Sequence, residues 1–363
     1  MKIAQVAPLF ESVPPKGYGG TERVVSYLTE ELVAMGHDVT LFATADSMTS
    51  ARLIPITTKS LRADAGSPVA LACHTTQLGR LGKAAAGFDV IHFHTDYLHF
   101  PMARQLATPH VTTLHGRLDL PELAPLYKQF NDVPLVSISN AQRTPLPWAN
   151  WHGTVYHGLP TDLYGPGFAP HNYCVFLGRI SREKRPDRAI DIAIRASMPI
   201  VIAAKVDPSD ADYYEAYIKP LLSHPLVRFI GEVGEADKRE LLSNARALLF
   251  PIDWPEPFGL VMIESFACAT PVIAYGHGSV PEIVTDGVNG FVVADQDQAL
   301  RALLQIDSID RCHCRAAFEQ RFSARQMALR YVELYKTLCK GPGSAPHPAA
   351  SSHPKFKEED HHG

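Results

Sequence analysis

The chain has 363 residues, 46% of them hydrophobic and 20% charged, with a formal net charge of −4. That is long for one hydrophobic core and comfortable for two domains, and the slight acidity gives no electrostatic case for a nucleic-acid partner. No apolar run reaches the roughly 20 residues that a membrane-spanning helix needs, which argues against an integral membrane protein and leaves peripheral contact with a membrane surface open.

In chain order, MKIAQVAPLF carries one Lys and a short apolar run, so Lys2–Ala7 reads as a first strand rather than part of a signal peptide. Six cysteines, Cys73, Cys174, Cys268, Cys312, Cys314 and Cys339, show no framework spacing. Reduced thiols and a cytoplasmic location are therefore expected. Lys16-Gly17-Tyr18-Gly19-Gly20 then opens a helix with Val24, Leu28 and Leu32 as its buried stripe. Glycines let a backbone approach a ligand closely and the helix start supplies N–H donors, although a bare Gly-Gly also fits a simple turn. Further strands are predicted at Asp38–Ala43, Val90–Phe93, His110–Leu114 and Pro134–Ile138. Their ends carry polar groups: His94 and Asp96, read as cleft lining, then His115 before Gly116, then Ser139 and Arg143. Trp148 and Trp151 fit packing against a next strand, Thr154–Tyr156, as well as they fit acceptor or membrane contact.

The alternation breaks over Gly158–Asn172, rich in Gly and Pro. This places a first domain at residues 1–158, a linker at 159–172 and a second domain at 173–322. Strands are predicted there at Tyr173–Leu177, Pro199–Ala203, Val227–Ile230, Ala247–Pro251 and Pro271–Ala274. Strands alternating with amphipathic helices in both halves predict an α/β protein of two Rossmann-like doubly wound domains, their strand carboxyl ends facing a central cleft. Arg179 and Lys184 follow the first strand of the second half, where a forked guanidinium and a point-charge ammonium suit a diphosphate. Asp210-Ala211-Asp212 mimics a metal-binding D-x-D, but its place at a helix start favours N-capping.

The most informative stretch runs from Pro251 to Val293. Pro255 and Pro257 end a buried strand, Gly259–Ala267 reads as a helix, and Glu256 and Glu264 flank its first turns. An anion over Phe258, Gly259, Leu260 and Val261 would meet backbone N–H groups without internal partners. Carboxylates that close would repel a phosphate, so they suit hydroxyls on either side of it. A nucleotide sugar has that layout: sugar hydroxyls, diphosphate, ribose hydroxyls. A helix-end charge and a solvated Glu account equally for an isolated pair at this spacing. Cys312-His313-Cys314 lies in a helix, where adjacent side chains splay, so no metal site is expected. A last helix, Ser323–Cys339, carries Met327, Tyr331, Leu334 and Leu338 at helical spacing, and 341–363 reads as a disordered tail.

Together, Gly178-Arg179-Ile180-Ser181-Arg182-Glu183-Lys184 and the Pro251–Val293 stretch resemble the retaining glycosyltransferases of family four, the group 1 glycosyltransferases, which have the GT-B fold. The resemblance covers all but about the last 25 residues. It implies a last helix, 323–340, crossing back to the first domain. It implies that Arg179 and Lys184 hold the leaving phosphate, Glu256 positions the sugar, Glu264 binds the ribose and His115 stands beside the transferred sugar. Gly19 and Gly20 would lie near the donor phosphates, and the backbone of Gly231 and Val233 against the base. Two positions depart from the family: Arg185 and Ala269 stand where Gly is usual, the second read as a mild packing change. Glu282 is read as bracing its own loop.

The implied function is transfer of a sugar from a nucleotide-sugar donor, UDP-sugar first and GDP-mannose next, to an acceptor hydroxyl with retention of configuration. The two cations and the helix start answer the growing phosphate charge, so no metal or other cofactor is expected. An inverting enzyme would instead need a base, for which His115 and Asp119 are candidates. The acceptor, whether small molecule, glycan or lipid, is not legible. A glycosyl phosphorylase, a nucleotide-sugar epimerase and a non-catalytic binding protein on the same fold remain alternatives.

Overall fold

The computed structural model describes residues 1–17, 19–62 and 68–340. The tail predicted from Gly341 onward, and Tyr18 of the glycine loop, lie outside the described residues. The first sheet comprises β1 (Lys2–Val6), β2 (Asp38–Ala43), β3 (Arg52–Pro55), β4 (Val90–Phe93), β5 (His110–Thr113), β6 (Leu135–Ser137) and β7 (Trp151–Thr154). Its strands are parallel, in the order β3-β2-β1-β4-β5-β6-β7. The second comprises β8 (Cys174–Ile180), β9 (Ile200–Val206), β10 (Val227–Gly231), β11 (Ala247–Phe250), β12 (Val272–Tyr275) and β13 (Gly290–Val293). These too are parallel, in the order β10-β9-β8-β11-β12-β13. In each sheet the order reverses once, between β1 and β4 and between β8 and β11, and such a reversal opens a crevice at the strand carboxyl ends.

Parallel strands are buried on both faces, so each strand feeds two cores. In the first domain Ile3, Val90, Val111 and Val136 pack on one face with Val24, Leu28 and Leu32 of the helix Gly20–Ala34. On the other, Ala4, Val6, Ile91 and Phe93 meet Leu81 of the helix Pro68–Ala84. One continuous core fills the second domain.

The chain returns to the first domain through the helix Ala324–Lys340. Its start is pinned at the junction, where Leu159 N–H donates to Phe322 O at 2.9 Å and Ala324 N–H to Leu159 O at 2.7 Å. Met327, Ala328, Tyr331, Val332 and Tyr335 then pack into the first domain's core. The crossing is as expected, but the stripe is rotated: Tyr335 is fully buried, while Leu334 and Leu338 pack only at its margin.

Candidate active site

The two sheets meet across a cleft of about 550 Å³, lined on one side by the glycine loop, His115 and Arg117 and on the other by Arg179, Lys184, Val233, Glu256, Glu264 and the segment Phe258–Val261. Gly231 itself is not on the wall; its neighbours Glu232 and Val233 are. Gly20 touches the facing domain, since a Cβ built there would lie 3.7 Å from Leu260 Cδ1.

Glu256 is 7% exposed. Its Oε2 accepts from Lys184 Nζ and, at 3.0 Å, from Trp254 Nε1–H. Lys184 also sits over the rings of Trp254 and Phe250, at 5.1 and 5.5 Å from their centroids. Carboxylate, ammonium and indole thus fix one another at the mouth of the helix Leu260–Ala267. The loop behind is pressed on Glu256 so closely that a Cβ on Gly278 (φ 57°) would stand 2.4 Å from both the N and the O of Glu256.

Glu264, buried in the same helix, accepts from Lys238 Nζ at 2.7 Å. Lys238 lies 3.2 Å from Glu235, whose other oxygen accepts from Arg23 Nη1 of the first domain at 2.6 Å. The ribose-side carboxylate expected from the sequence is therefore one end of an ionic chain that crosses the cleft.

Arg179 is ringed by carboxylates: Glu183 and Asp210 at 3.6 Å and Asp207 at 3.8 Å. The N-cap reading of Asp210 is corrected here, because its side chain makes no capping bond and faces Arg179. Arg185 precedes the helix Pro186–Arg195 in the left-handed region, φ 54° and ψ 53°. That conformation is the physical reason Gly is favoured at this position; the Arg side chain is held by Asp187 and Asp253 at 2.7 and 2.9 Å.

His115 stands on the cleft wall with its Nε2 2.8 Å from His94 Nδ1 and its ring stacked on His157 at 5.2 Å between centroids. Burial pushes its imidazole down to about 3. The other predicted lining groups go elsewhere. His94 is fully buried behind His115, bonded at 2.8 Å to Gln5 Oε1. Asp96 takes a left-handed backbone (φ 47°), and it and Arg143 are not on the cleft wall. Arg143 stacks over Trp151 at 5.4 Å, and Ser139 Oγ–H donates to Pro257 O at 2.6 Å, joining the domains behind the cleft. Glu282 does more than brace its loop: it accepts from Ala141 N–H at 2.7 Å, Asn140 N–H at 2.8 Å and Tyr156 Oη–H at 3.0 Å. Asp119 is gripped by Arg117 at 2.7 and 2.9 Å, and that hydrogen-bonded guanidinium holds its carboxyl below the usual range.

Sequence reading missed Lys238, Trp254, His157 and Arg117. Arg117 bridges the cleft to Glu183 at 2.7 Å. Lys238 belongs to a polar helix whose exposed-looking pattern conceals it, and Trp254 carried a signal, an indole two residues from Glu256.

Two doubly wound domains meeting at their strand carboxyl ends, with a glycine loop and helix starts on the shared wall, define a protein of the GT-B fold. Residues 18–151 match the family model described as Glycosyltransferase Family 4, and residues 168–311 match that of Glycosyl transferases group 1. The chain belongs to this family of glycosyltransferases. It is 28% identical over 358 residues to the D-inositol 3-phosphate glycosyltransferase of Frankia alni, covering 81% of this chain and 85% of that one. AviGT4, a glycosyltransferase involved in avilamycin A biosynthesis, superposes with a TM-score of 0.70 at 25% identity, over 94% of this chain and 98% of its own. The Anabaena protein Alr3699/HepE in complex with UDP and glucose shares the fold, with a TM-score of 0.72 at 20% identity over 93% of this chain and 100% of its own.

Proposed function

We propose that the protein transfers a sugar from a nucleotide-sugar donor, a UDP-sugar first and GDP-mannose next, to an acceptor hydroxyl with retention of configuration. The observation that carries this reading is the pairing of Glu256 with Lys184 at the mouth of the helix Leu260–Ala267, on a wall shared with Arg179 and Glu264. A diphosphate over Phe258–Val261 meets the free N–H groups of a first helical turn, with Lys184 and Arg179 able to turn from their carboxylates toward it. Glu256 is then left to the sugar hydroxyls and Glu264 to the ribose.

Breaking the anomeric bond loads negative charge onto the departing diphosphate, and these donors are fixed before the charge appears. The departing phosphate oxygen takes the acceptor's proton on the same face. Retention is further favoured by the candidate bases: Asp119 is occupied by Arg117, and burial, which pushes His115 down to about 3, makes it a weak base. Two cations and a helix start answer the charge without a metal, so EDTA should leave the rate unchanged. Abolition by EDTA with restoration by manganese would move the phosphate chemistry to a metal. The Anabaena complex with UDP and glucose supports uridine as the first base to try.

A thermal-shift panel of nucleotide sugars tests the reading, because a ligand that binds only the folded state raises its stability. A UDP-sugar should raise the midpoint. No rise with any nucleotide sugar, and a rise with a sugar phosphate instead, would favour a phosphorylase.

A further inference from the structure

Behind His115 the first domain carries a buried polar stripe that the transfer step does not explain. Alternate residues of three neighbouring strands share one face: Ile3 and Gln5; Val90, His92 and His94; Val111, Thr113 and His115. The apolar members pack under the crossover helix, and the polar members run toward the cleft. Gln5, His92 and Thr113 are fully buried and His94 is 1% exposed.

Their bonds form one chain. Tyr335 Oη lies 2.6 Å from His92 Nδ1 and accepts from Gln5 Nε2–H at 3.2 Å. Gln5 Oε1 is 2.8 Å from His94 Nε2, and His94 Nδ1 is 2.8 Å from His115 Nε2. On the far side His92 Nε2 lies 2.7 Å from Thr113 Oγ1, itself 2.9 Å from Tyr331 Oη.

The orientation of the Gln5 amide sets the protons along this arm. Its NH₂ donates to Tyr335 Oη, which leaves the hydroxyl's single proton for His92 Nδ1. Its oxygen faces His94. An amide oxygen can only accept, so His94 carries its proton on Nε2 and presents a bare Nδ1. His115 then carries its proton on Nε2, and its Nδ1 is a bare acceptor, buried and without a partner among the described residues.

We propose that Tyr335 is a positioning residue for sugar transfer: its hydroxyl orients Gln5 and, through His94, locks His115 of the cleft wall in the Nε2–H form, so that its buried, unpartnered Nδ1 meets an approaching sugar hydroxyl as an acceptor and not as a donor. Without that hydroxyl the Gln5 amide is free to reverse, which inverts the proton positions on His94 and His115 and replaces the acceptor with a donor. The crossover helix thereby acts on a cleft residue it does not touch. The role in transfer rests on the nucleotide-sugar reading above; the lock does not.

Selective ¹⁵N labelling of the histidine rings, read by long-range ¹H–¹⁵N correlation, reports which nitrogen of each ring is protonated. Wild-type His115 should be the Nε2–H form. A protonated Nδ1 there overturns the proposal without any variant, so the test survives if a variant fails to fold. Tyr335→Phe, which keeps the packing and deletes the hydroxyl, should show a mixed or reversed His115. Tyr331→Phe removes an equally buried hydroxyl outside the Tyr335–Gln5–His94 arm and should leave His115 unchanged.

With UDP-glucose as probe, the rate of UDP release should fall about tenfold in Tyr335→Phe, the worth of one lost hydrogen bond, and stay within about twofold in Tyr331→Phe. UDP affinity should be unaltered in both. An unaltered His115 in Tyr335→Phe, or equal rate losses in the two variants, refutes the lock. Failure of UDP-glucose to bind in the thermal-shift panel refutes the donor reading and leaves the tautomer result to decide the lock.

Discussion

At the scale of single residues, two departures from the family pattern turn out to share a backbone cause. Ala269 has φ 61° and Arg185 φ 54°, both in the left-handed region where a Cβ costs roughly 1–2 kcal/mol. The sequence suggested a packing change at Ala269, because a residue's identity reports its volume and not its dihedral angles. Ala269→Gly should therefore stabilise the protein, by about 1 kcal/mol after the extra freedom glycine gives the unfolded chain. A urea midpoint that falls would show that the Ala269 methyl, fully buried, contributes more by packing than its backbone loses. Glu256 is the second case. Its role was suggested by spacing, while its partners Lys184 and Trp254 needed the fold to bring them together. Removing a buried carboxylate outright strands an ammonium, so Glu256→Gln, which keeps the shape, is the informative change. Turnover should drop roughly ten- to hundredfold, the worth of a charged hydrogen bond, with UDP affinity within about twofold. Parallel losses of affinity and turnover would place Glu256 at the diphosphate instead of the sugar.

At the scale of elements, legibility followed burial. The central strands were readable because strands buried on both faces are continuous apolar runs: Val90–Phe93 and Ala247–Phe250 have no exposed position. Two edge strands were not. Arg52–Pro55 is exposed at both ends and only half-buried between, and Gly290–Val293 opens on glycine, so neither carried a strand signal. The crossover helix was readable in extent but not in rotation, because Tyr335 buries its ring for the sake of a hydroxyl bonded to Gln5 and His92, which an apolar stripe cannot anticipate. The polar stripe was present as alternation, Val90-x-His92-x-His94 beside Val111-x-Thr113-x-His115, but strand pairing alone turns it into one network. The loop before the helix Val280–Ile283 is another feature hidden from sequence. Gly278 presses on the Glu256 backbone, so Gly278→Ala forces a methyl into a contact of 2.4 Å and must displace Glu256. We expect folding to be retained at reduced stability and turnover to fall at least as far as in Glu256→Gln. Normal turnover would mean that the loop yields and that the position of Glu256 is set by Lys184 and Trp254 alone.

At the scale of the whole molecule, the two domains are joined differently at the back and at the mouth of the cleft. Behind it, Ser139 and Glu282 tie backbone to side chain across the junction, whereas Arg117–Glu183 and Arg23–Glu235 span the mouth as ion pairs between partly exposed groups. Partly exposed pairs are screened by salt and contribute little, so the mouth is the side that yields when a ligand enters. The interior of the first domain imposes the opposite behaviour, a strong dependence on pH. Burial holds His92, His94, His99 and His157 well below the ordinary histidine value of 6.5 and pushes His115 down to about 3. Above 6.5 these rings are neutral whether the chain is folded or not, and their contribution to stability is constant. Below 6.5 the unfolded chain binds protons that the native state refuses, so stability is lost as pH falls toward the native values, by about 1.4 kcal/mol per pH unit for each ring. Asp96 and Glu22 have the opposite sign: burial raises both, Asp96 to about 6, so acidification from 6 toward 3.8 returns stability there, but they are two groups against five. The urea midpoint should therefore be level from pH 8 to 7 and fall steeply between about 6.5 and 5, with loss of activity over that range following loss of fold. The variant His92→Asn/His99→Asn, which removes two of the rings, should flatten the slope by about 2.7 kcal/mol per pH unit even where it lowers stability throughout. An unchanged slope in that variant, or a level midpoint down to pH 5 in the parent, would mean that these histidines are protonated in the folded protein and that the stripe is a charged one.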